Sequence, residues 1–223
     1  VKLLIQRQGQ GNLDLSITRD EIKTASVNLT MLPDNIAHIR IVQFAQNTAG
    51  EMATALKNAR DQGAKGIVLD LRNNPGGLLD TTVDITNMFL DGGIAGYQVD
   101  RNGKKETLPL KGKGSYTDIP MVVLVNAGSA SGSELLSGAL QDRGRAKLIG
   151  TRTYGKGSVN HMKDLSDGSA LYVTIGRWLT PNGTLIEGNG LTPDYQVTLT
   201  DDDVKAGRDA QMEKALNVLK GVS

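Results

Sequence analysis

The chain has 223 residues, 39% hydrophobic and 22% charged, a composition that fits neither a disordered chain nor a membrane span. Lys plus Arg number 25 against 24 Asp plus Glu, interspersed, which leaves no electrostatic footprint for nucleic acid; no nucleic-acid partner is expected. Cysteine is absent and the only histidines are His38 and His161, so disulfides, thiolate nucleophiles and Cys-based zinc sites are excluded and any catalysis must lean on other residues.

The chain opens in strand-like sequence with neither Met nor a signal-type segment, which reads as a mature or truncated piece of something longer. Val1 to Gln8 alternates apolar residues at Val1, Leu3 and Ile5, and Asn12 to Thr18 does so at Leu13, Leu15 and Ile17. With Gly9 and Gly11 between them, the pattern predicts a β-hairpin. Ile36 to Phe44 is an apolar strand. Thr48 and Glu51 have capping-box spacing, and Met52, Ala55, Leu56 and Ala59 follow at helical intervals up to Gly63. Gly66 to Leu71 is a continuous apolar run of the buried-strand kind, followed by the polar turn Asn73 to Gly77 and by helical spacing at Leu79, Val83, Thr86 and Leu90. Asp100 to Asp118, rich in glycine and lysine, reads as an exposed excursion. Met121 to Val125 repeats the buried strand, Asn126 to Gly128 the turn, and Leu135, Leu136, Ala139 and Leu140 the helix. Ala146 to Ile149 is strand-like, Ala170 to Leu179 alternates, Tyr195 to Leu199 is a short strand, and Met212, Ala215, Leu216 and Leu219 share one face of a final helix. Strands alternating with helices predict an α/β core with an added β portion.

Two segments have residues that suit chemistry. Ser129 to Glu134 stands between a buried strand and a helix, where free N–H groups and the helix dipole favour negative charge, so a serine there could be a nucleophile. Ser131 and Glu134 equally satisfy the S-x-x-E capping box, the commoner use of such a serine. The G-x-S-x-G elbow is not matched, because Ser129 and Ser133 stand where its glycines should be. Gly150 to Ser158 approaches a phosphate-binding P-loop, but Gly157 follows Lys156 where a hydroxyl is needed, and strand-like rather than helical sequence comes after it. Lys156 between Gly155 and Gly157 has another use. A lysine brought into a crowded site loses solvation, and the neutral amine can take a proton from a serine; burial would have to supply on the order of 4 kcal/mol.

Asn126 to Asp142, N-A-G-S-A-S-G-S-E-L-L-S-G-A-L-Q-D, together with Gly155-Lys156-Gly157-Ser158-Val159, resembles the catalytic core of the carboxy-terminal processing proteases, also called tail-specific proteases. Asp70-Leu71-Arg72-Asn73-Asn74-Pro75-Gly76-Gly77 is similar to that family's D-L-R-x-N-x-G-G turn. Leu179-Thr180-Pro181-Asn182-Gly183 and Gly190-Leu191-Thr192-Pro193-Asp194 resemble two further segments, so four ordered motifs cover most of residues 35 to 199.

The resemblance implies an α/β fold with the ClpP/crotonase-like β-β-α superhelical core and a Ser-Lys dyad, with Ser131 as nucleophile and Lys156, 25 residues on, as general base. It implies an oxyanion hole from the N–H groups of Gly77 and Gly132, with Asp142 and Glu134 in support, and no cofactor or metal. Asn160 stands where the family usually has Gln and is one methylene shorter, so it is expected to reach the lysine amine less directly. Residues 1–22 resemble the exit from a PDZ domain, most of which is missing, leaving 23–223 as the protease core. The resemblance further implies a polypeptide substrate whose C-terminal tail lies extended by strand addition, an extracytoplasmic location and a possible homo-oligomer. The main alternative is a non-proteolytic binding module of the same fold family.

Overall fold

The computed structural model describes residues 1–20 and 24–221. In chain order its elements are β1 (Lys2–Arg7), β2 (Gly11–Ser16), β3 (Val27–Leu32), β4 (Ile36–Ile41), α1 (Thr48–Asp61), β5 (Gly66–Asp70), α2 (Leu79–Phe89), β6 (Ile94–Val99), β7 (Lys105–Pro109) and β8 (Met121–Val125). There follow α3 (Gly132–Asp142), β9 (Lys147–Gly150), β10 (Ser158–Asp164), β11 (Ala170–Leu179), β12 (Tyr195–Gln196), α4 (Asp201–Lys205) and α5 (Ala210–Leu219).

The apolar runs on β5 and β8 are buried at every position because helices cover both faces of the sheet they build. Ile67, Leu69, Val123 and Val125 face a core shared with Met52 and Leu56 of α1, Ile85 and Phe89 of α2, and Leu136 and Leu140 of α3. Val68, Val122, Leu124 and Ile149 face the other way, against Ala215, Met212 and Leu216 of α5. Full burial of one such side chain stabilises by about 1.5–3 kcal/mol, so this double-sided packing is what fixes the strand ends that carry the site. The sheet order is β12-β9-β8-β5-β4-β3, parallel except for β3, which pairs antiparallel with β4. A second, antiparallel sheet, β10-β11-β6-β7, is the added β portion. The α/β expectation therefore holds.

Local expectations change in three places. The strand expected from Ile36 to Phe44 ends at Ile41, and Phe44 instead bridges to Gly77. Thr48 does not cap α1: its Oγ1 meets Ser26 Oγ at 2.7 Å and accepts from the Ala45 N–H at 2.8 Å, while the Glu51 carboxylate receives the Ser26 and Val27 N–H groups. Asp100 to Asp118 is not wholly an excursion, since Lys105–Pro109 is β7, paired with β6, and Leu110 is buried. The final helix forms as expected, as α5 capped by Asp209, and the acidic residues before it open the short α4, capped by Thr200. The hairpin β1–β2 forms as expected, with Ile5 opposite Leu13; the boundary expected at residues 22 and 23 lies outside the described residues.

At the end of β5, the buried Asp70 carboxylate accepts from Arg72 Nε at 2.9 Å and Nη2 at 2.7 Å and meets His38 Nε2 at 3.1 Å. Arg72 Nη1 continues to both oxygens of Asp209 at the start of α5, clamping that helix to the sheet. Burial alone would raise the Asp70 pKa, but His38 and Arg72 outweigh it and hold the carboxyl well below the usual range. A depressed folded-state value stabilises above the unfolded pKa, near 4, and that stabilisation is lost as pH falls further. Asp70→Asn should therefore cost about 1–3 kcal/mol at neutral pH, because it removes the charged acceptor of two Arg72 hydrogen bonds and leaves the guanidinium with Asp209. In denaturant titrations the gap from wild type should narrow below about pH 4; a gap that widens on acidification would contradict this.

Candidate active site

The C-terminal ends of parallel strands are where α/β sheets gather functional loops, and here three of them are laced together. Buried Asn74, after β5, donates from Nδ2 to the Ile41 carbonyl of β4 at 2.9 Å and accepts the Gly76 N–H at 2.8 Å. Its own carbonyl accepts from the Ala130 N–H and the Ser133 hydroxyl, both at 3.0 Å, which ties in the loop after β8. Asn126 Oδ1 accepts the Asn73 N–H while Asn126 Nδ2 donates to Asn73 Oδ1, each at 2.9 Å. Ser129 Oγ donates to the Leu71 carbonyl at 2.8 Å.

This lacing holds Ser131 at φ 52° and ψ −113°, a left-handed conformation that costs a non-glycine residue of order 1–3 kcal/mol. The serine is half-buried at the start of α3, where the helix dipole is positive. Glu134 accepts the Ser131 N–H at 2.9 Å, as a capping box requires, and the Glu134 N–H donates to the Ser131 carbonyl at 2.9 Å. The sharp turn of a nucleophile elbow is thus present without its sequence signature. The room that flanking glycines would give comes partly from a distant turn: a Cβ on Gly76 would stand 2.7 Å from Ser131 Cβ, and one on Gly132 would stand 2.6 Å from Thr82 Oγ1.

Gly77 and Gly132 flank this turn with main-chain donors. Gly77 cannot carry a side chain, since a Cβ would lie 2.2 Å from the Phe44 carbonyl oxygen. Phe44 N–H donates to the Gly76 carbonyl and Leu78 N–H to the Phe44 carbonyl, which fixes the Gly77 peptide, while the Gly77 and Gly132 N–H groups make no hydrogen bond among the described residues.

Glu134 is wholly buried and joins the serine to the lysine loop. Its Oε2 accepts both the Ser131 N–H and the Lys156 N–H at 2.9 Å, so the two amide nitrogens lie within about 6 Å of each other. Its Oε1 accepts the Gly155 N–H at 2.7 Å and Thr153 Oγ1 at 2.5 Å. Four donors fill the acceptor capacity of a carboxylate. Thr153 was not anticipated; its hydroxyl also accepts the Leu191 N–H at 2.7 Å, carrying the tie to the Gly190–Asp194 segment.

Lys156 itself departs from expectation. Its backbone is held beside Ser131, but its side chain is exposed rather than buried and has no hydrogen bond or ion pair among the described residues. The flanking glycines serve loop packing: a Cβ on Gly157 would stand 2.3 Å from the Glu187 nitrogen and one on Gly155 3.0 Å from that of Gly190, so the side chain between them points outward. Asn160 is not brought to the lysine; its Oδ1 accepts from Thr174 Oγ1 at 2.7 Å and its Nδ2 faces Ser158 Oγ at 3.3 Å. Asp142, at the far end of α3, accepts the Asn182 N–H at 2.8 Å and so anchors the Thr180–Gly183 turn. The P-loop alternative fails, because β10 and not a helix follows Lys156.

The profile described as peptidase family S41 matches residues 35–197. The carboxy-terminal processing protease CtpA of Bacillus subtilis is 41% identical over 202 residues, covering 90% of this chain and 43% of that protein. The carboxyl-terminal-processing protease of Synechocystis is 42% identical over 190 residues, covering 84% and 44%. The chain thus spans less than half the length of these relatives. Among solved structures, the photosystem II D1 C-terminal processing protease superposes with a TM-score of 0.73 at 33% identity, covering 88% of this chain and 55% of that one. The ordered motifs, the fold and these matches agree: the chain belongs to peptidase family S41.

Proposed function

We propose that this chain is the catalytic core of a serine endopeptidase that cuts polypeptides near their C-terminus, with Ser131 as nucleophile and Lys156 as general base. The observation that carries this reading is the strained Ser131 backbone at the start of α3, with the unbonded N–H groups of Gly77 and Gly132 beside it. The names of the relatives supply the C-terminal preference.

Ser131 Oγ adds to the scissile carbonyl carbon as the neutral Lys156 amine takes its proton, and the resulting oxyanion is received by the Gly77 and Gly132 N–H groups. One such donor is worth about 2.7–4 kcal/mol of the barrier. The ammonium then returns the proton to the leaving amine, and water activated by Lys156 releases the acyl group from Ser131. Because Lys156 is exposed in the uncovered chain, the substrate itself must strip water from it. Leu78 and Tyr154, 52% and 68% exposed beside Gly77 and the lysine, give an apolar tail the surface to do so.

In this reading residues 1–22 are the end of a PDZ domain and 23–223 the core, working outside the cytoplasm. The hairpin leaves Val1, Leu4 and Ile17 exposed. Asn160 would act on the lysine only by releasing Thr174. Asn160→Gln, longer by one methylene, should raise the cleavage rate by a few fold; an unchanged or lower rate would remove this position from the lysine's surroundings.

The test of the function is mass spectrometry of new C-termini on polypeptides with apolar tails. Cuts clustered near the tail are expected, and intact substrates or cuts scattered without regard to the C-terminus would overturn the reading.

A further inference from the structure

The second sheet leaves one strand edge open. β6 pairs with β11 only over Arg177 to Leu179, so the β11 backbone from Ala170 to Gly176 has β10 on one side and no strand on the other among the described residues. Beyond this edge stands the turn that joins β6 to β7, and between the two lies a groove of about 860 Å³. Every residue from Val173 to Arg177 lines it, so the strand offers main chain as well as side chains.

The chemistry of the groove is specific. Val99, Val173, Ile175 and Leu179 make its apolar lining, with Val173 and Ile175 left 43% and 46% exposed. Arg101 and Arg177 line the same groove, and neither guanidinium has an ion pair or hydrogen bond among the described residues. The one acid there, Asp100, is occupied: its Oδ1 accepts the N–H groups of Asn102 at 2.8 Å and Lys104 at 2.9 Å. An open edge templates an added strand, alternate apolar side chains select for apolar partners, and a free guanidinium fork matches a carboxylate. Two uncompensated positive charges at the end of an apolar strip complement a chain that ends in a carboxylate.

From this geometry we infer that the groove binds an extended apolar peptide through its free C-terminal carboxylate, adding it as a strand to the open edge of β11 with the carboxylate on Arg101 and Arg177. The inference rests on the proposed function for the kind of peptide presented, but not for the binding itself. The groove lies across β11 from β10, the strand that follows Lys156, and is distinct from the Ser131 elbow.

Fluorescence anisotropy on the Ser131→Ala chain, with an apolar hexapeptide as free acid or as C-terminal amide, tests it. Amidation should weaken binding by about tenfold or more, as loss of a charge-assisted contact implies. Arg101→Ala combined with Arg177→Ala should reduce the free acid to the affinity of the amide, without changing the melting temperature, since both side chains are exposed. Methylating alternate peptide nitrogens should abolish binding, as strand addition requires. Equal affinity for acid and amide, unchanged binding by the double variant, or filling of the groove by a second copy of this chain would each overturn the inference. Wild-type cleavage run in parallel separates the readings. Cleavage with no carboxylate-dependent binding retains Ser131 chemistry and sinks the groove; carboxylate-dependent binding without cleavage does the reverse.

Discussion

Ser131→Ala and Lys156→Ala are each expected to lower cleavage of an apolar-tailed polypeptide by at least about 10⁴-fold in kcat, with little change in KM. Residues that act as one catalytic unit lose nearly everything when either is removed, so the double variant should be scarcely worse than either single one. Neither change should unfold the chain. Ser131→Ala removes one hydroxyl at a helix N-cap, worth about 0.5–2 kcal/mol, and the Lys156 side chain is exposed and unpaired among the described residues. Lys156→Arg separates two roles that alanine cannot. Arginine keeps the positive charge but stays protonated, so it cannot take the serine proton. If Lys156 is the base, this variant should be as inactive as alanine; retained activity would make the lysine an electrostatic partner only.

Glu134→Gln is expected to reduce kcat by about 10²-fold while leaving a folded protein. Among the described residues its carboxylate is the one group that bonds both the Ser131 and the Lys156 main chain, and a displacement of about 1 Å at a reacting pair costs on that order. The amide turns an NH₂ toward donors that Glu134 satisfied, at Thr153 and Gly155 or at Ser131 and Lys156. Glu134→Ala should be worse in a different way. It leaves four buried or half-buried donors without their acceptor, at about 1–3 kcal/mol for each fully stranded group, so loss of stability should accompany loss of activity. Thr153→Val, which removes one donor to Oε1, should cost less in both. A Glu134→Gln variant with wild-type kcat would show that the elbow and the lysine loop hold their positions without this bridge.

The legible parts of the fold were those where burial writes a continuous pattern. β5 and β8 are apolar at every position because both of their faces are covered, and the polar turns after them stand out by contrast. The strands β3, β6 and β10 gave no such signal. Each carries partly or fully exposed residues, and β10 lies at a sheet edge, so its sequence need not alternate cleanly. At the site, family resemblance singled out Ser131, Lys156, Gly77 and Gly132, but not how they are held. The elbow was hidden because one of the glycines that make room for Ser131, Gly76, comes from the turn after β5 rather than from beside the serine. Glu134 reads in sequence as a helix cap; its bonds to Gly155 and Lys156 exist only once α3 and the lysine loop have folded together. Burial of Lys156 was expected from its flanking glycines, which in the fold serve contacts with Glu187 and Gly190 instead.

Whether Ser131 forms an acyl-enzyme is read by mass spectrometry of the chain after acid quench from a p-nitrophenyl ester of an apolar peptide. A single acyl adduct mapped to Ser131 is expected, absent from Ser131→Ala and strongly slowed in Lys156→Ala. An adduct on any other residue, or continued turnover by the Ser131→Ala chain, would contradict it.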